Sequence, residues 1–303
     1  MSNIVEIPSV GRDERIGSTF NYLFSVIYQT ESISGGHVVW NFNNASFFHP
    51  FFLAPLALYK SRCEKKITYV NVPYAVERYF KVVRFDEFLY VDDKTDFNEA
   101  LNTYLDKSYT PICRFDLCKT NVDALQTVLQ NIIEKQSSAS KEIKTPLSYF
   151  LGELICNINQ HSCGKYGYVF SQCLSKKERC INLCIADDGI TIYGSYVRAK
   201  KYLEQIGDNE AEALRLANEG YSTKDLPDCE SRGFGISTSK SMLVDGLGGS
   251  FFMFSGGAFH RHDCHNGSVY IKLPDAIHWT GTIILMRIPI NVPEGFDYME
   301  YVK

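Results

Sequence analysis

The stretch LGELICNINQHS, residues 151–162, decides how the rest of the chain is read. At 3.6 residues per turn, successive side chains rotate by about 100° around a helix. Leu151, Leu154, Ile155 and Ile158 then share one arc roughly 100° wide, the width of a core-facing stripe. Glu153, Asn157 and Gln160 fall on the opposite side, with His161 at its flank. Two readings follow. One is a surface helix with a solvated polar face. The other is the wall of an active site, with a carboxylate as general base and an amide oxygen as a hard ligand for magnesium. The surrounding chain has to decide.

The 303 residues are 45% hydrophobic, enough for one large core or, more readily, two domains. A net charge of −4 supplies no basic field for nucleic acid or anionic lipid, so neither is expected as the main partner. The opening MSNIVEIPSVGRDERIGS lacks an apolar core of signal-peptide length, and no apolar run reaches spanning length. The expectation is a cytoplasmic protein with no membrane partner. Ten cysteines are scattered without a CxxC pair, several inside apolar runs such as RCINLCIADDG; they read as small buried hydrophobes in a reducing compartment.

Outward from the central helix, the N-terminal third alternates a β-rich run (37–42), a turn (NNAS), an apolar helical stretch (52–63), a strand (67–71) and a helical YAVERYFKVVRFDEFL. That order predicts a small α/β layer with parallel pairing. The charged, weakly periodic segment 91–109 is the expected boundary, giving domains 1–105 and 106–303. The second begins with a strand (PICRFDL), a helix (VDALQTVLQNIIEK) and a polar loop (QSSASKEIKTP) before the central helix. After it, YGYVFSQCL and RCINLCIADDG predict antiparallel strands joined by SKKE.

The second strand runs into IADDGITI. A strand ending in Asp-x-Gly puts the Asp187 carboxylate at a sheet edge, with Gly189 allowing close backbone approach; such a carboxylate accepts from an exocyclic amine like that of adenine. Asp-Asp-Gly is also an ordinary turn. Further on, Gly233-Phe234-Gly235 leads into a helix expected over 236–244 and capped by Gly246, with Lys224 and Arg232 nearby. A glycine loop entering a helix N-terminus cradles phosphate through unpaired N–H groups, although it can equally be a plain helix-entry turn. The GxxxxGK[ST] spacing of a P-loop is absent. Gly281-Thr282 then opens a last strand, GTIILMRIPI.

Taken in order, these motifs resemble the GHKL ATPases, the ATP-binding domains of gyrase, heat-shock chaperones, histidine kinases and MutL, over about residues 109–292. The resemblance implies a Bergerat-type α/β sandwich, a mixed sheet covered by helices, that binds ATP and Mg2+. It assigns Glu153 as catalytic carboxylate and Asn157 as the amide holding the metal. Asp187 and Gly189 become the adenine-reading pair, Gly233 and Gly235 the phosphate-binding glycines, and Thr282 the hydroxyl behind the adenine carboxylate. Residues 193–232 match a mobile lid with hinges at Gly194 and Gly233, from which Lys224 reaches the γ-phosphate; Arg232 and His161 complete the cofactor-binding set. A second glycine after Asp-x-Gly is replaced by Thr191, which stiffens or closes the lid hinge.

None of the seven histidines has the setting of a phosphoacceptor, and Glu153 four residues before Asn157 resembles the anti-sigma-factor serine kinases. The N-terminal part is similar to the STAS fold of anti-sigma-factor antagonists. Its loop reads His49-Pro50-Phe51-Phe52, without a hydroxyl to phosphorylate. The resemblance therefore implies Mg-dependent ATP binding with γ-phosphoryl transfer to a protein hydroxyl, or to water. A nucleotide-gated interaction module that does no chemistry is the alternative. A regulatory protein of sigma-factor or antagonist type, or a second copy of the chain, is the implied partner. AFHRHDCHNG, with His260, His262, Asp263, Cys264 and His265, is either a metal site or a hairpin tip with solvated imidazoles.

Overall fold

The computed structural model describes residues 3–11, 16–92, 94–138, 140–174, 179–223 and 234–302 of an α/β protein. The chain forms two compact units: residues 1–89 with 274–277, and residues 90–273 with 278–303. That division lies ahead of the 105/106 boundary taken from the sequence.

The first unit alternates β1 (Ile4–Glu6), α1 (Ile16–Ser32), β2 (His37–Asn41), α2 (Pro50–Arg62), β3 (Lys66–Val70) and α3 (Tyr74–Val83). Its three strands pair in parallel in the order β1-β2-β3, with Val5 beside Trp40 and Trp40 beside Tyr69. Each crossover is a helix, as parallel pairing of consecutive strands requires. The core is aromatic: Phe42 meets Phe48, Tyr69 and Phe80 edge-on at 6.1, 5.2 and 5.5 Å, and Phe80 stacks on Phe85 at 4.2 Å. Burying each such ring contributes about 1.5–3 kcal/mol. Their polar tips are satisfied, Trp40 Nε1 donating to Thr30 Oγ1 at 3.1 Å and the Tyr69 hydroxyl to Asp86 at 2.6 Å. His49 is the N-cap of α2: its Nδ1 accepts from Phe51 N, and Pro50 takes the first helical position, where its missing N–H costs nothing.

The second unit takes over within β4 (Leu89–Val91) and carries α4 (Phe97–Asn102), β5 (Cys113–Asp116), α5 (Val122–Ser137), α6 (Lys144–His161), β6 (Tyr166–Leu174) and β7 (Cys180–Asp187). Then come α7 (Ile192–Ala199), α8 (Leu203–Ile206), α9 (Glu210–Asn218), α10 (Phe234–Ser241), β8 (Ser250–Gly256), β9 (Ala258–Asp263), β10 (Gly267–Lys272) and β11 (Trp279–Pro289). Eight strands form one sheet in the order β10-β9-β8-β11-β7-β6-β5-β4, antiparallel at every pairing from β5 to β10. β7 is buried along its whole length, because it is central and covered on both faces. The last strand in sequence, β11, inserts between β8 and β7, and so carries Thr282 next to the strand that ends at Asp187.

Register fixes which side chains share a face. Ile185, Ile284, Met253 and His260 lie in one row across β7, β11, β8 and β9, and Asp187 and Thr282, two residues along, point the same way. That face meets the helices: α6 crosses β6 and β7, α10 packs on α6 and α9, and α9 lies over β8, β9 and β10. α6 starts at Lys144, so the segment expected as a loop up to Pro146 is in part helix; proline is tolerated in a first turn, where no intrahelical N–H bond is lost. Instead of one helix over 236–244, α10 ends at Ser241 and a π-helical turn follows (Met242–Gly246), with the left-handed glycine at Gly248 (φ 69°).

The histidine-rich segment is the β9–β10 hairpin. Asp263 Oδ1 accepts from the N–H groups of His265 and Asn266 and so closes the turn. His260 is fully buried, its Nδ1 on Val269 O at 3.0 Å and its ring stacked on Tyr270 at 4.1 Å, so it is not the solvated imidazole expected of a hairpin tip. Among the described residues no group of three or more His, Cys, Asp or Glu side chains is placed to hold a metal ion. Among them, too, no helix is long and apolar enough to cross a membrane.

Candidate functional site

α6 buries Leu147, Phe150, Leu151, Leu154, Ile155 and Ile158, and leaves Glu153, Asn157 and His161 half-buried on the other side, with Gln160 exposed. The polar side is met by the start of α10. A Cβ on Gly235 would lie 2.3 Å from Glu153 Oε2 and 3.1 Å from Asn157 Nδ2, so the α10 backbone comes close to these two side-chain tips, which would have to shift for any larger residue. Asn157 Nδ2 is buried with no hydrogen-bond partner among the described residues. Such an orphan costs about 1–3 kcal/mol unless something else satisfies it. Tyr149, one turn before Glu153, has its phenol pushed up from the ordinary value by burial and by the Glu153 carboxylate.

Asp187 ends β7, 3% exposed. Its Oδ1 accepts from Gly189 N at 2.8 Å and its Oδ2 from Thr282 N at 3.2 Å. A carboxylate oxygen can accept more than one hydrogen bond. Gly281 (φ +76°) stands against it, since a Cβ there would be 2.4 Å from Asp187 O. Behind it, Ser255 Oγ donates to Gly281 O at 3.1 Å and accepts from Ile192 N at 2.8 Å. With its only proton used, Ser255 leaves the 3.1 Å contact with Thr282 to be donated by the Thr282 hydroxyl.

The second aspartate of the Asp-Asp-Gly run has a different task. Asp188 Oδ1 accepts from Lys165 N and Tyr166 N, each at 2.8 Å, and ties the loop after α6 to the end of β7. Ile190 N donates to Ser162 O at 2.6 Å, and a Cβ on Gly189 would sit 1.9 Å from that same carbonyl. Sequence reasoning singled out Asp187 and Gly189 but not Asp188, Ser162 or Ser255. No local pattern marks them, because their bonds close over 22 to 63 residues of chain.

These parts enclose a cleft of about 740 Å³, open solvent included. Its walls are apolar (Leu154, Ile158, Ile190, Ile192, Ala217, Ile236, Ile284), with Asn157, His161, Asp187 and Thr282 as polar points. This is the usual character of a small-molecule site. Glu153 stands one turn beyond Asn157, outside the lining. Asn157, His161, Asp187 and Thr282 thus line one cleft, while Gly189 and Gly235 shape its edges. Lys224, Arg232 and Gly233 lie outside the described residues, as does the expected lid from residue 224 onward.

The rest of the expected lid is α7, α8 and α9, short helices around their own core of Tyr196, Ile206, Ala213 and Leu216. Thr191 caps α7, its hydroxyl accepting from Gly194 N at 2.9 Å. Gly194 therefore sits inside a capped first turn, which holds a helix start in place rather than freeing a hinge. Glu210, at the head of α9, accepts from Gly257 N in the β8–β9 turn. For a divalent cation the described donors are few and hard: the Asn157 amide oxygen and the Glu153 carboxylate. That suits magnesium, which takes one or two protein oxygens and completes its shell with phosphate and water.

Comparison of the chain with protein-family models, with curated proteins and with solved structures finds no match.

Proposed function

We propose that the second unit binds ATP with magnesium in the GHKL manner and that the chain is a cytoplasmic signalling regulator. The single observation that carries this reading is the convergence on one apolar cleft of a buried carboxylate fixed by two backbone N–H groups and a helix face bearing Asn157, with Glu153 one turn before it. Asp187 accepts from the adenine amine, and the apolar walls Ile190, Ile192 and Ile284 flank the ring plane. Asn157 holds the magnesium ion, which when bound neutralises charge on the phosphates. Glu153 takes the proton of an attacking hydroxyl, on a protein serine or on water. The first unit, as a STAS-like module, docks a regulatory protein of sigma-factor or antagonist type, or a second copy of the chain. Lys224, Arg232 and Gly233 are assigned to the phosphates by resemblance alone.

One observation favours the nucleotide-gated module instead: Glu153 packs against Gly235 and does not line the cleft. Calorimetry with Mg-ATP tests binding. Labelled ATP with wild type and Glu153→Gln then separates the two readings. Loss of transfer or hydrolysis by about 10²–10⁴-fold with unchanged affinity supports chemistry, and equal background in both leaves the module. No binding to the wild type ends both.

A further inference from the structure

Three side chains from three separate segments form a hydrogen-bonded chain in the cleft wall. His161 Nδ1 lies 3.3 Å from Thr223 Oγ1, and Thr223 Oγ1 lies 3.2 Å from Ser195 Oγ. All three are half-buried and line the cleft, beside the apolar Ile158, Ile190 and Ala217.

Their position along the cleft follows from α6. His161 is one helical turn past Asn157, about 6 Å along the axis, and Glu153 is one turn before it. The next residue, Ser162, is bonded through its carbonyl to Ile190 N, so the end of α6 abuts the turn that follows Asp187. The order along the wall is therefore Glu153 and Gly235, then Asn157, then the His161 chain, then Asp187. A nucleoside triphosphate has the order phosphates, ribose, base.

The chain is also held in place before any ligand arrives. Ser195 stands on α7 behind its Thr191 cap, and the Tyr196 hydroxyl donates to Tyr221 O at 2.6 Å, tying α7 to the segment that carries Thr223. After their mutual bonds, the Ser195 and Thr223 hydroxyls keep oxygen lone pairs at adjacent points, where the O–H donors of a vicinal diol can reach them. We infer that His161, Thr223 and Ser195 read the ribose hydroxyls, so that the site selects ribonucleotides over deoxyribonucleotides; this rests on the nucleotide reading above.

The test is calorimetric titration of the full chain with ATP, 2′-deoxy-ATP and 3′-deoxy-ATP, each with magnesium. Wild type is expected to bind at least one deoxy analogue roughly tenfold more weakly than ATP, since removing a hydroxyl leaves enclosed polar groups unpaired. Thr223→Val and Ser195→Ala should lower ATP affinity toward that of the analogue and bring the ratio close to one. Equal affinity of wild type for all three ligands overturns the inference and leaves the nucleotide reading standing. A ratio that persists in both variants overturns the assignment of these residues. Absence of binding by any of the three removes the nucleotide reading, and this inference with it.

Discussion

The two ends of the cleft are built on opposite principles. At the Asp187 end the backbone dominates: both carboxylate oxygens accept main-chain N–H groups, and Gly189 and Gly281 pack directly on carbonyls. At the Glu153–Asn157 end the approach of Gly235 is limited by side-chain tips, and Asn157 Nδ2 has no partner among the described residues. Geometry at the first end is set by folding. At the second, a buried amide nitrogen is without a partner among the described residues, the kind of local cost that the proposed site would explain.

Two glycine substitutions test this contrast with the largest effect. In Gly189→Ala the new Cβ meets Ser162 O, a carbonyl fixed by its bond from Ile190. Neither backbone can yield, so a loss of about 3 kcal/mol is expected. In Gly235→Ala the obstacle is the Glu153 carboxylate, the far end of a flexible side chain, and the loss should stay below about 1 kcal/mol. Denaturant unfolding followed by circular dichroism measures both. Equal losses would show that the two ends are equally rigid.

How far the sequence discloses the site follows the same division. The α6 face was legible because helical period alone separates Leu151, Leu154, Ile155 and Ile158 from Glu153 and Asn157. Asp187 and Gly189 were legible as a strand running into Asp-x-Gly. Asp188, Ser162 and Ser255, which fix that end, carry no local period and become meaningful only once β7, β11 and β8 are neighbours. In the first unit, the alternation from His37 to Val70 was readable to within a residue or two, whereas the three-residue β1 was too short to show a period. In the sequence His49 belongs to a loop, and its role as a cap depends on where α2 begins.

Asp187→Asn probes the rigid end with a smaller change. One accepting oxygen becomes an N–H₂ facing Gly189 N or Thr282 N, a donor against a donor. A loss of about 2 kcal/mol is expected even without ligand, together with weaker Mg-ATP binding. An unchanged unfolding midpoint would mean that the two backbone bonds do not hold the carboxylate.

His260 extends the comparison to an unpartnered polar atom enclosed by the fold instead of the cleft. Its Nε2 is buried without a partner among the described residues, and Lys240, His262 and Tyr270 face it. Burial pushes its pKa down to about 3 from an ordinary 6.5. The unfolded chain thus binds the proton more readily, and stability falls as pH drops through the window from about 6.5 to about 3. Between pH 7 and pH 5 this imidazole should account for a loss of about 2 kcal/mol. His260→Phe, which keeps an aromatic ring on Tyr270, should lose that much less over the same range. Parallel pH profiles for the two proteins would mean that His260 is not the group responsible.

Asn157→Leu should have the smallest effect on the unliganded fold and is the sharpest test of the comparison. The amide's buried nitrogen has no partner among the described residues, so replacing it with a side chain of similar volume removes a desolvated donor and loses no described bond to it. Apo stability is expected to change by less than about 1 kcal/mol, in either direction. The response to Mg-ATP should change far more, because the amide oxygen available to the metal is gone. Wild type should gain stability as Mg-ATP is raised, by the mass action of a ligand that binds only the folded state, and the variant should gain little. Thermal unfolding of both proteins with EDTA, with magnesium alone and with Mg-ATP measures each part. A variant that loses several kcal/mol without ligand would show that Asn157 is structural, and that the two ends of the cleft are built alike.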